Sequence, residues 1–185
     1  FMFTHERWQV KMLLIVAQSI LSHMFFVLVF DAGYGWDQWV TLGGTRRLFD
    51  SSFYTFTLQS PILPLLKIFR VVSGVFQPVI STILSHMFSI DVFWGHLLLV
   101  PVLWGIFIPI IAYRITEIVT EKQELALISG LLTLASPSLI GWGAASVSNS
   151  LGLIFFFFTT FLLVDYLASS RTILWAAVSV FATLL

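Results

Sequence analysis

Long apolar runs, interrupted by short charged patches, dominate the chain. Residues 12–30 are apolar apart from a small polar stripe, and residues 92–115 are apolar apart from His96 and Arg114. Residues 125–142 hold no charge, and residues 147–167 hold only Asp165 near their end. A further run, residues 172–185, begins and is cut short. Because a bilayer core takes about 20 apolar residues in a helix rising about 1.5 Å per residue, four spans and a truncated fifth are expected. Each is expected to be α-helical, since a helix satisfies its own backbone hydrogen bonds in lipid.

Between the first two runs lies a different pattern. Residues 31–91 contain Asp31, Asp37, Arg46, Arg47, Asp50, Lys67, Arg70 and Asp91, too many charges for a crossing and too many aromatics for a plain linker. Its second half, "SPILPLLKIFRVVSGVF", starts with Pro61 and Pro64 and then repeats apolar residues at helical spacing, with Lys67 and Arg70 to one side. That pattern predicts a helix lying in the membrane interface. Arg7, Lys11, Arg114, Lys122 and Arg171 fall at the opposite ends of the spans from this loop. The positive-inside rule then places the N-terminus inside, with the long loop and the short turn from Trp142 to Ser148 on the outer face.

Composition sharpens this reading. Hydrophobic residues make up 58% of the 185 and charged ones 10%, with a mean hydropathy of +0.98, which identifies an all-α integral membrane protein. Nine basic and nine acidic residues cancel, so the balance points to no nucleic-acid partner and no polybasic lipid anchor. The chain has no cysteine, which removes disulfides, thiol chemistry and cysteine-ligated zinc. It opens on Phe1 and ends within an apolar run, so residues 1–185 are expected to be the N-terminal part of a longer multi-span domain. The first apolar run is too long for the core of a signal peptide and is expected to remain. "ILSHMF" occurs twice, at Ile20–Phe25 and Ile83–Phe88, but only scattered apolar matches extend it, so a duplicated unit is not expected.

The polar residues are candidates for chemistry. Gln18, Ser19, Ser22 and His23 form two i, i+4 pairs in the first span and are expected to face other helices. No pair of histidines has zinc-site spacing. Asp31 sits where the first span ends. It is either a solvated helix-end acid, placed to cap a helix that starts near Tyr34, or a general base whose pKa is raised by partial burial. Tyr34, Trp36 and Trp39 suit an interfacial aromatic belt or stacking on sugar faces. Arg46 and Arg47, after "LGGT", suit bidentate phosphate binding or contact with anionic lipid.

Taken together, these features resemble the GT-C superfamily of membrane glycosyltransferases. That superfamily includes protein O-mannosyltransferase-like and aminoarabinose transferase-like enzymes and the catalytic subunit of oligosaccharyltransferase. "FDAGYGWDQWVTLGG" is similar to the family's acid-then-aromatic helix ending at glycine, and "SPILPLLKIFRVVSG" to its proline-led apolar helix. "LISGLLTLASPSLIGWGAASVSNSLGLIFFFFTTFLL" resembles its third-to-fourth span region, and "LVPVLWGIFIPIIAYRITEIV" the second span of the oligosaccharyltransferase subunit. The resemblance implies a GT-C type helix bundle that moves a sugar from a polyprenyl-phosphate donor to a protein, lipid or glycan acceptor on the non-cytoplasmic face. It implies the plasma membrane in a prokaryote or the endoplasmic reticulum in a eukaryote. Asp31 would be the catalytic carboxylate, Arg46 and Arg47 would hold the donor phosphate, and Asp37, Tyr34 and Asn149 would contact substrate. Two positions depart from the family: Ala32 stands where many members have a second acid, and Ser148, Asn149 and Ser150 replace an acid in the second outer loop. An amide is a weak metal ligand, so a divalent ion, which the resemblance leaves open, is not predicted. A non-catalytic polytopic scaffold, or less readily a transporter, also fits the pattern.

Overall fold

The computed structural model describes residues 7–29, 36–50, 77–145 and 148–169, together with residue 173. Among them every regular element is helical, as expected: α1 Trp8–Val29, α2 Trp36–Asp50, α3 over residues 77–88, α4 Val92–Thr120, α5 Gln123–Leu132, a 3-10 turn Thr133–Ala135, α6 Pro137–Ala144 and α7 Ser148–Ser169. Helices α1, α4 and α7 are long and apolar enough to cross a membrane. The proline-led stretch at 61–76 and, residue 173 apart, the run at 172–185 lie outside the described residues.

Helix α4 is the axis of the bundle, packed on α1, α5 and α7. It begins at Asp91, whose carboxylate accepts from the Phe93 amide at 2.7 Å, and it ends at Glu121 in the left-handed region at φ 57°. Pro101 and Pro109 lie inside it. Each removes one backbone donor, a loss that neighbouring helices tolerate by packing around the freed carbonyls. Helix α1 runs antiparallel to α4. Trp8 stacks on Tyr113 at 5.7 Å near one end, and His23 meets Trp104 at 6.3 Å further along. The inward face of α1 is Met12, Ile15, Ser19, His23 and Val27, while Leu13, Leu14, Leu21, Phe25 and Leu28 point outward. Side chains three and four apart share a helix face, so the inward residues form one stripe, and the contacts with α4 and α5 decide that this stripe is the buried one.

The polar stripe of α1 divides in a way the spacing did not predict. Ser19 and His23 are buried, and the His23 Nδ1–H donates to the Ser19 carbonyl at 2.7 Å. Gln18 is exposed instead and turns its amide toward the Ser22 hydroxyl at 3.4 Å. The four residues therefore cover more than one face: among the described residues Ser19 and His23 are buried, Ser22 is half-buried and Gln18 is exposed.

Helix α5 folds back along α4, with the Ser129 hydroxyl donating to the Ala112 carbonyl at 3.3 Å. An apolar core of Met12, Ile15, Tyr113, Ala126 and Leu127 joins α1, α4 and α5. The apolar run at 125–142 is not one straight helix. Ser136 is extended, at φ −90° and ψ 108°, and the helices on either side of it differ by 67°. Pro137 explains the break, since its ring disfavours helical geometry in the preceding residue while suiting the first turn of the next helix. The Ser136 hydroxyl caps that new helix by accepting from the Leu139 amide at 3.4 Å.

Candidate functional site

Helix α2, which carries Asp37, Arg46 and Arg47, lies at the end of the bundle where α1 finishes at Val29 and α4 starts at Val92. Arg7, Lys11, Arg114 and Lys122 flank the other end, which the Trp8–Tyr113 stack holds together. Helix α2 docks on the α4 start through three contacts. Trp39 lies against Phe93 at 6.4 Å, Phe49 stacks on His86 of α3 at 4.5 Å, and Thr45 meets His96.

The Thr45 contact fixes a protonation pattern. Its hydroxyl lies 3.0 Å from the Thr41 carbonyl, which can only accept, so the hydroxyl proton is used there. The His96 Nδ1 at 3.0 Å is therefore the donor to this hydroxyl. Both side chains are fully buried. A Thr45→Val substitution keeps the shape and strands the buried Nδ1–H, so it should destabilise the protein by about 1–3 kcal/mol. Thermal unfolding measures this, and an unchanged midpoint would mean that the bond does not hold α2 in place.

Arg46, next to the buried Thr45, is exposed. The backbones of Asp37 and Arg47 lie on α2, but their side chains are outside what the structure describes, and Asp31 and Tyr34 fall wholly outside it. Trp39 keeps 45% of its surface and Trp94 keeps 42%, so aromatic faces are available at this end.

Asn149 is exposed in the first turn of α7. Its neighbour Ser150 is buried, and the Ser150 carbonyl accepts from the Trp104 indole at 2.9 Å. Trp104 and His96 are eight residues apart on α4, about 12 Å along the axis. The anchors of Arg46 and Asn149 are thus at different levels of the bundle. The end of α6 packs against α1 and α4: Gly143 leaves the notch into which the His23 ring fits, beside the Trp104 Cβ.

Among the described residues no three His, Cys, Asp or Glu side chains gather as a metal site would require. Sequence reasoning left His96 without a role and passed over Thr45, Gln77, Ser81 and Ser85, all of them buried. The i, i+4 spacing of 77, 81 and 85 was the available signal. The chain matches no protein-family model, no curated protein and no solved structure, so its function rests on the residues themselves.

Proposed function

We propose that the chain is the N-terminal part of a multi-pass membrane glycosyltransferase of GT-C type that takes a sugar from a polyprenyl-phosphate donor. The observation that carries this reading is the docking of α2. A hydrogen bond and two ring contacts seat the helix at the end of the bundle, while the next residue, Arg46, stays exposed. A guanidinium on a seated helix suits a phosphate whose lipid tail lies alongside the bundle.

In this reading the acceptor hydroxyl or amine attacks the sugar carbon, Asp31 takes the proton, and the bond from that carbon to the phosphate oxygen breaks. The polyprenyl phosphate leaves, held by Arg46 and Arg47. Tyr34, Asp37 and Asn149 orient the substrates. Membranes carrying the full-length protein should transfer labelled sugar from a polyprenyl-phosphate donor. Arg46→Ala should raise the donor KM about tenfold with a smaller change in kcat, the loss expected of one charge-assisted phosphate contact. Absence of transfer from every donor tried, by folded protein, would sink the reading.

The break at Ser136–Pro137 favours one second reading, a transporter, because discontinuous helices are frequent around transporter binding sites. Sugar uptake into sealed vesicles without any transfer product would select it.

A further inference from the structure

Helix α3 carries Gln77, Ser81 and Ser85 four residues apart, a single row about 12 Å long. All three are buried, at 0%, 0% and 1% exposure. The described residues offer no hydrogen-bond partner to either amide atom of Gln77 or to the hydroxyls of Ser81, Thr82 and Ser85. Buried polar groups are costly unless partnered, and a row of them marks a place where something hydrogen-bonds.

The surroundings define the chemistry of that partner. The row meets α4 at Gly95, where a side chain would run into the Ser85 hydroxyl and would lie 3.4 Å from the Ser81 carbonyl. That part is closed by direct packing, which leaves the Ser81 and Gln77 end of the row for a guest. Gln77 presents donors and an acceptor, each serine presents both, and no residue of the row is charged. A charged guest would have no counter-charge in the row. We infer that the α3 row, beside the α2–α4 junction, is a binding site for neutral hydroxyl groups, those of buried water or of an uncharged polyol.

Residues 1–185 contain no cysteine, so a thiol introduced among them is read without interference from its own segment. Ser81→Cys and Ala126→Cys in the full-length protein place matched thiols at two sites of 0% exposure, one in the row and one in the apolar core. Radiolytic labelling oxidises side chains next to bound water even when bulk solvent does not reach them. The Ser81→Cys thiol should be oxidised many times faster than the Ala126→Cys thiol. Slowing of that oxidation by an added free hexose would identify a polyol as the guest, and an unchanged rate would identify water. Equal protection of the two thiols overturns the inference. If either thiol variant fails to fold, Gln77→Leu decides. A lower melting midpoint supports a guest bonded to the amide, and a higher one, the result of removing an unpartnered amide, overturns it.

Discussion

Replacing Gly105 with valine should be the most damaging single change in the described bundle, with a loss of about 3 kcal/mol, the upper part of the range for overpacking. A Cβ at this position would lie 2.6 Å from the Ile20 Cα, 2.7 Å from its Cγ1 and 2.8 Å from its amide nitrogen. Two of those atoms are backbone, so α1 as a whole must move away from α4. The crossing it would open also aligns the Trp8–Tyr113 stack and the His23–Trp104 contact on either side. Close approach through a small residue is how apolar helices gain contact where lipid offers no hydrophobic drive to associate. Gly152 is the control: nothing lies within 4 Å of its missing side chain, and Gly152→Ala should be neutral or slightly stabilising through helix propensity. Thermal unfolding of the purified protein compares them. A Gly105→Val midpoint equal to that of Gly152→Ala would show that the crossing carries little of the stability.

The same glycine marks a boundary of what sequence reveals. Long runs without charge disclose helices α1, α4 and α7, because length and hydropathy are properties of the segment alone. Gly105, Gly95 and Gly143 differ from Gly43, Gly44 and Gly152 only in what faces them, and that is set by another helix. The break after Ser136 was signalled by Pro137, yet the uncharged stretch around it reads as one continuous run. The Thr45–His96 bond joins residues 51 apart, a pairing with no local trace. Gln77, Ser81 and Ser85 had a legible spacing, but their segment read as a surface loop, in which a polar stripe would meet water and need no partner.

Asp31→Asn should abolish sugar transfer, lowering kcat by about 100-fold to 10,000-fold, the range supplied by a positioned general base. The change is close to isosteric and keeps hydrogen-bond capacity, but an amide cannot take the proton released by the attacking hydroxyl or amine. Donor KM should move little, because the phosphate is assigned to Arg46 and Arg47 and not to the carboxylate. The opposite pattern is expected for Arg46→Ala, with KM raised and kcat nearly kept. A raised KM in Arg46→Ala cannot come from misfolding, which lowers apparent kcat and leaves KM unchanged, whereas for Asp31→Asn the rate must be normalised to the folded fraction. Asp37→Asn completes the comparison. Position 32 is alanine, so Asp37 is the nearest other acid after Asp31 in the sequence. Full activity in Asp31→Asn with loss in Asp37→Asn would move the base to α2, on the same docked helix as Arg46. Full activity in both would remove the base from this loop. The unfolding midpoint of each variant, measured beside its rate, keeps the assignment of the proton independent of any change in stability.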